Sequence, residues 1–364
     1  MDVEERLDLI TRGALEVVTR EELREKLEAG ERLRGYIGYE PSGLVHIGWL
    51  IWMMKVRDIV DAGVDFTVLE ATWHARINDK LGGDMELIRE SARLVRVVME
   101  ALGIPVDRIR FLDAEDLAGD KDYWALVIGV AKNATLARIK RSLTIMGRRA
   151  DEAELDASKI IYPAMQVADI YYMDLDIALG GMDQRKAHML ARDIARRMGA
   201  KKPVAIHTPL LTGLQGTGRM DPSRLAGMEV DEVYAEVKMS KSKPETTILV
   251  HEDPGEIRRK MRKAYCPQGQ EEYNPVMEIN KYILFQTPGF RLVVERPSKY
   301  GGTVVYETYE DLARDFREGK LHPLDLKNAT AEALAKLLEP VRKRIQGDPM
   351  LLESIKRIQG ATTR

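Results

Sequence analysis

One cysteine, Cys266, stands in a chain of 364 residues. A single thiol excludes an internal disulfide framework and any metal site built from several cysteines, and it makes a cytoplasmic location the expectation. Long hydrophobic runs are also missing. The stretch "WLIWMM" is cut short by Lys55, far below the length that spans a bilayer, so no membrane partner is expected. The opening "MDVEERLDLI" is acidic and charged, unlike a secretion signal. Neither internal repeats nor low-complexity segments are present. A strong charge of one sign is lacking too: the formal net charge is -2. That excludes a polycation, so any nucleic-acid contact has to come from a local cluster. One such cluster runs from Lys132 to Arg149, with six basic residues and no acid. By itself it is either a solvated helix face or a phosphate-binding surface.

What is present is ordinary for a folded chain: 45% hydrophobic and 31% charged residues, and enough length for two or three packed domains. The many Arg, Glu and Lys residues hint at a heat-adapted source. Residues 1–30 read as two short helices, "VEERLDLITRGALEVV" and "REELREKLEAG". Apolar runs then alternate with amphipathic stretches. "GYIGYE", "VDFTVLEA" and "RIRFLDA" read as strands, separated by helices ending at Gly63 and Gly103. After a long helical stretch over about 114–157 the alternation resumes. "SKIIYPAMQVADIYYM" and "DQRKAHMLARDIARRMG" read as helices, and "LDIALGG" and "KPVAIHTP" as strands. The expected fold is α/β: a doubly wound, Rossmann-like parallel catalytic sheet over 31–251 with a helical insertion. The segment 211–244 is glycine-rich and irregular, which argues for a functional loop. Residues 252–364 read as a mostly helical C-terminal domain with one extended patch near "RLVVERPSKYGGTVVYE".

In open parallel sheets ligands sit beyond the carboxyl ends of the strands. The turn "PSG", Pro41–Gly43, occupies such a place, with Gly43 free to take positive φ. A helix is expected to begin near Val45–Ile47, its first-turn N–H groups open to a phosphate. His46 there can donate to a phosphate oxygen, and Gly48 lets a nucleotide approach the backbone. H-x-G alone is also met at plain helix starts. The irregular loop carries "KMSKS", Lys238–Ser242, over about 237–243, whose lysines and serines can neutralise a polyphosphate. A third group is Tyr162, Gln166 and Asp169, at i, i+4 and i+7 of one apolar helix, hence on one face. Polar groups there need partners: neighbouring backbone or a ligand.

The H-x-G and K-M-S-K-S pair resembles the two ATP motifs of class I aminoacyl-tRNA synthetases. Together with "YIGYEPSG", "YPAMQVADI" and "GGMDQRKAHML", the chain is similar to the archaeal/eukaryotic-type tyrosyl-tRNA synthetases from about Tyr36 to "LHPLDLKNA". The resemblance implies activation of L-tyrosine with ATP, accompanied by Mg2+ but with no tightly held protein metal, followed by transfer to the 3′-terminal adenosine of tRNA(Tyr). It implies catalytic roles for His46, Lys238 and Lys241, with ATP contacts from Gly43, Gly48, Asp183, Ser240 and Ser242. It assigns Tyr162, Gln166 and Gln184 to the tyrosine ammonium, and Tyr36 and Asp169 to the phenolic hydroxyl. Arg141, Arg185 and Lys186 match positions near the acceptor stem. Tyr300, His322 and Asp325 match positions that read the first anticodon base, a guanine. A homodimer through the insertion is a further implication, and His74 is a possible pocket wall. The second histidine of the first motif is here Trp49, which is left out of the site. The rivals are a tryptophanyl-tRNA synthetase, a small-molecule nucleotidyltransferase and a non-catalytic tRNA-like RNA-binding protein. The pair Tyr36 and Asp169 suits a phenol better than an indole.

Overall fold

A computed structural model describes residues 1–146, 156–216, 238–241 and 243–362. At its centre lies a mixed sheet of β1 (Glu16–Val18), β2 (Arg34–Tyr39), β3 (Asp65–Glu70), β4 (Ile109–Asp113), β5 (Ile177–Gly181) and β6 (Val204–Thr208). The spatial order is β1-β6-β5-β2-β3-β4, parallel throughout except for β1 against β6. The interior strands are mostly buried, as in a sheet packed on both faces; every residue of β6 is buried. Chain order reverses between β2 and β5, so a crevice opens over their carboxyl ends. The doubly wound architecture expected from the alternation is what the chain adopts.

The N-terminal segment corrects one expectation. The first helix, α1 (Val3–Thr11), does not run through Val18. Gly13, at φ 68°, turns the chain, and Glu16–Val18 pairs with Ala205–His207 as an edge strand. The second helix, α2 (Arg20–Glu28), opens on a capping box between Thr19 and Glu22. Past β2, the expected helix opens as a 3-10 turn, Ile47–Trp49, and continues as α3 (Leu50–Asp61). Ten of the twelve residues of α3 are buried, each large apolar side chain contributing about 1.5–3 kcal/mol. Next come α4 (Thr72–Ile77), which sequence patterning did not reveal, and α5 (Met85–Ala101).

The insertion resolves into α6 (Ala114–Ala118), α7 (Lys121–Asn133) and α8 (Leu136–Ser142). It is followed by α9 (Ala157–Tyr172) and, after β5, α10 (Arg185–Met198). Beyond residue 252 the chain is helical apart from an antiparallel hairpin of β7 (Leu292–Val294) and β8 (Val304–Tyr306), the expected extended patch. Its last helix, Pro349–Thr362, returns to α5, where Arg357 pairs with Glu86 at 2.9 Å and Glu90 at 2.5 Å. Among the described residues no helix is long and apolar enough to cross a membrane.

Candidate active site

A cleft of about 1250 Å³ lies over the carboxyl ends of β2 and β5. Its inner end is built by α9. Tyr162, Gln166 and Asp169 share one helical face and all line the cleft, opposite Tyr36 on β2. Asp169 is held from two sides. The Tyr123 hydroxyl of α7 donates to its Oδ1 at 2.8 Å, and His74 Nε2 of α4 lies 3.2 Å from Oδ2. Burial first, and the charge of Asp169 second, push the Tyr36 hydroxyl far above its ordinary pKa, so it stays protonated. A carboxylate and a neutral phenol thus face the same apolar space, offering an acceptor and a donor.

Nearer the mouth, the Tyr162 hydroxyl donates to Glu40 Oε1 at 2.6 Å, and its own lone pairs remain to accept. Gln166 donates to Gln184 Oε1 at 3.1 Å, and Gln184 donates to the Ile145 carbonyl at 3.0 Å. That leaves Gln166 Oε1 buried with no hydrogen-bond partner among the described residues. An orphaned buried acceptor costs about 1–3 kcal/mol until a donor arrives, and an ammonium is such a donor.

The outer end carries the cations. His46 Nδ1 accepts from the Gly48 N–H at 3.2 Å, which leaves the imidazole proton on Nε2. Burial, then Lys241 and Lys238, hold its pKa well below the usual histidine value, so the ring is neutral. The Ile47 N–H bonds the Ile248 carbonyl at 3.0 Å, and the Trp49 N–H bonds the His46 carbonyl at 2.9 Å. The first-turn N–H groups are therefore taken, which corrects the expectation of an open helix terminus; side chains, not backbone, face an incoming phosphate. Gly48 lines the cleft and has a second use besides the expected one. A Cβ there would come within 2.9 Å of the His46 ring, so the glycine makes room for the imidazole.

Lys238 donates to Asp183 Oδ2 at 2.7 Å. Burial opposes its charge, but Asp183 outweighs burial and the ammonium's pKa is raised. Lys241 donates to Ser42 Oγ at 3.0 Å and sits 4.7 Å above the Trp49 ring. Burial first and Lys80 second bring its pKa down to about 7. Trp49, set aside on sequence grounds, is thus the platform under one of the two lysines. Ser240 also lines the cleft, and its carbonyl accepts from Thr247 Oγ1 at 2.6 Å. Gly43 does not: at φ 120° it forms the turn behind the wall, exchanging hydrogen bonds with Ser91 of α5. Ser242 lies outside the described residues.

The remaining candidates are spread over other surfaces. Arg141 is exposed at the end of α8. Arg185, at the start of α10, is half-buried and held by Glu16 at 2.9 Å; Lys186 follows it. In the C-terminal region His322 caps the helix Pro323–Leu337, its Nδ1 accepting from the Leu324 N–H at 3.1 Å, with Asp325 in the first turn. Tyr300 ends the turn Ser298–Tyr300; Arg296, just before the turn, donates to the carbonyls of Gly302 and Lys320. Sequence reasoning gave no part to Tyr123, Glu40, Ser42 or Lys80. Only Glu40 and Ser42 carried a signal, standing where β2 passes into its turn.

Similarity to known proteins shows the family and the fold. The family model for class I tRNA synthetases (W and Y) matches residues 28–227 and 229–339. The tyrosine–tRNA ligase of Aeropyrum pernix is 64% identical over all of this chain and 99% of its own length. The crystal structure of tyrosyl-tRNA synthetase from Aeropyrum pernix superposes with a TM-score of 0.88 at 59% identity, covering 99% of this chain and 100% of that one. The Pyrococcus horikoshii tyrosyl-tRNA synthetase, solved in complex with L-tyrosine, gives a TM-score of 0.89 at 44% identity, with 98% and 100% covered. On these matches and on the fold, the chain belongs to the tyrosyl-tRNA synthetases of class I.

Proposed function

We propose that the chain joins L-tyrosine to ATP, forming tyrosyl-adenylate and pyrophosphate, and then passes the tyrosyl group to the 3′-terminal adenosine of tRNA(Tyr). The observation that carries this reading is the single cleft with two chemically opposite ends. A carboxylate and a phenol, Asp169 and Tyr36, close one end, and His46, Lys238 and Lys241 crowd the other. The substrate phenol donates to Asp169 and accepts from Tyr36. Its ammonium donates to Gln166 Oε1 and the Tyr162 oxygen, beside Gln184. That pose aims the tyrosine carboxylate outward, toward the lysines.

In the first step a carboxylate oxygen attacks the α-phosphorus of ATP and the bond to pyrophosphate breaks. No covalent protein nucleophile is needed; the chain aligns two anions and stabilises the charge that moves to the leaving group. Lys238 and Lys241 supply positive charge, and His46 supplies a neutral N–H from Nε2. Asp183 serves the ribose while holding Lys238, with Gly48, Ser240 and Ser242 as further ATP contacts. Mg2+ would accompany the ATP phosphates and offset part of their charge; among the described residues no group of three or more metal-binding side chains is assembled. In the second step the 2′-hydroxyl of the terminal adenosine attacks the carbonyl carbon and AMP leaves.

Arg141, Arg185 and Lys186 serve the acceptor stem, and 252–364 serves the anticodon through Tyr300, His322 and Asp325. The helices α7 and α8 expose Ile128 (61%) and Leu136 (58%), an apolar face that fits a homodimer through the insertion. The cytoplasm is the proposed location. Amino-acid-dependent exchange of pyrophosphate into ATP tests the proposal, run with tyrosine, tryptophan and phenylalanine in parallel. Exchange with tyrosine alone is expected. Exchange with tryptophan and not tyrosine overturns the assignment of the inner pocket.

A further inference from the structure

The loop that carries Lys238 and Lys241 belongs to no sheet, and besides its bonds to the catalytic region it has two anchors in the C-terminal region. Glu278, in the helix Pro275–Ile279, directs both carboxylate oxygens at one residue of the loop's incoming strand. Its Oε2 accepts the Thr212 N–H at 2.7 Å, and its Oε1 accepts the Thr212 hydroxyl at 2.9 Å. Thr212 is fully buried and Glu278 nearly so. Thr212 in turn forms an isolated antiparallel bridge with Lys238, continued by the Met239 N–H to the Leu211 carbonyl at 2.6 Å. The ammonium of Lys238 then reaches Asp183.

A second tie runs from the helix Pro254–Lys263. Lys260 donates to the Thr247 carbonyl at 2.7 Å, and Thr247 donates to the Ser240 carbonyl. The short run Lys238–Lys241 is thus pinned before and after by side chains of the same region. A buried carboxylate is a costly way to fill space; an apolar residue of similar volume packs at least as well. What a carboxylate adds is direction, because it fixes the backbone N–H and the side chain of Thr212 together. The bridge between Thr212 and Lys238 belongs to neither sheet, so the strand partner of Lys238 keeps its place through Glu278.

We propose that Glu278 is a positioning residue for Lys238, carrying the placement of the C-terminal region to the cation that meets the ATP phosphates. The inference rests on the assignment of Lys238 to ATP. Displacing such a group by about 1 Å can slow the reaction by about 10²-fold. The effect of Glu278 should therefore fall on ATP and spare tyrosine, whose pocket hangs on α9 and β2.

The test is tyrosine-dependent pyrophosphate exchange, normalised to the fraction of active sites by burst titration. Glu278→Gln, Thr212→Val, Lys238→Ala and the double variant Glu278→Gln with Lys238→Ala are compared. Glu278→Gln is expected to lower kcat/KM for ATP about tenfold, with the KM for tyrosine within about twofold of the parent. In the Lys238→Ala background the same change is expected to cost less than about twofold, since the group being positioned is gone. Thr212→Val reads the same link from its other partner, and does so even if Glu278→Gln does not fold. A purely structural role predicts the same cost in both backgrounds and a loss of active sites without a change in the KM for ATP; that result overturns the proposal. Unchanged ATP kinetics in Lys238→Ala, with Glu278 intact, would instead remove the assignment on which the proposal stands.

Discussion

The two ends of the cleft are built on opposite plans. At the inner end the functional groups stand on the central strand β2 and the buried helix α9, and partners fix them before any ligand arrives. Asp169 is gripped by Tyr123 and lies against His74, and Tyr162 is tied to Glu40. At the outer end the lysines stand on a short segment joined to the rest by single bridges and a few side-chain bonds, and their charges are what they offer. The difference follows from the two tasks. Choosing between amino acids that differ by one hydroxyl needs polar atoms that cannot relax toward the wrong ligand. Neutralising a polyphosphate needs charge that can follow a leaving group.

If the inner end is a preformed lock, its strongest member is Asp169. Asp169→Ala leaves Tyr36 and Tyr123 facing a gap where a carboxylate stood, in a buried site. Losing a buried charged partner costs about 3–5 kcal/mol, so kcat/KM for tyrosine should fall by about 10³-fold in pyrophosphate exchange. The KM for ATP should stay within about threefold. Equal losses for both substrates would show that the two ends are one unit and erase the contrast.

The plan of the inner end is partly legible in the sequence, and the reasons differ residue by residue. Strands β2 to β6 announce themselves as short apolar runs between amphipathic helices. Tyr162, Gln166 and Asp169 stand out because polar groups at helical spacing interrupt an apolar face. Tyr123 does not: a tyrosine within an apolar helix reads as core, and its partner lies 46 residues further on. The edge strand β1 is hidden for the same kind of reason. Three residues carry little pattern, and their partner β6 lies at the far end of the domain. At the outer end, H-x-G and K-M-S-K-S mark the place but not its wiring. Nothing in "HIG" says that the histidine caps its own turn and so closes the backbone to phosphate. Nor does a tryptophan after that glycine reveal that it will lie under Lys241.

Tyr123 therefore gives a sharper test of preorganisation than Asp169, since it touches the cleft only through another residue. Tyr123→Phe keeps the ring in the core and deletes the donor to Asp169 Oδ1. A hydrogen bond to a charged group is worth about 1.5–3 kcal/mol. Part of that is recovered when the carboxylate turns toward the substrate. Discrimination between tyrosine and phenylalanine should fall about tenfold, measured as the ratio of kcat/KM values. Unchanged discrimination would mean that Tyr36 alone sets the position of the substrate hydroxyl.

The smallest effect comes from the outer end and is a matter of protons. His46 is neutral and its pKa is depressed further, whereas that of Lys238 is raised, so neither changes charge between pH 7 and 8. Lys241, with its pKa lowered to about 7, does. Below pH 7 its ammonium is already charged before ATP binds; above pH 7 the free protein holds it mostly neutral. Phosphates raise its pKa on binding, so ATP binding takes up a proton and weakens as pH rises. With the bound form charged throughout, linkage gives about a fivefold loss of affinity between pH 7 and pH 8. Calorimetry in buffers of different ionisation enthalpy reads the uptake directly. Lys241→Arg, whose guanidinium stays charged, should flatten the profile while leaving tyrosine binding as it was. A profile equally steep in that variant would place the titrating group elsewhere and remove the idea that, above pH 7, burial keeps one lysine of the pair mostly uncharged until its phosphate arrives.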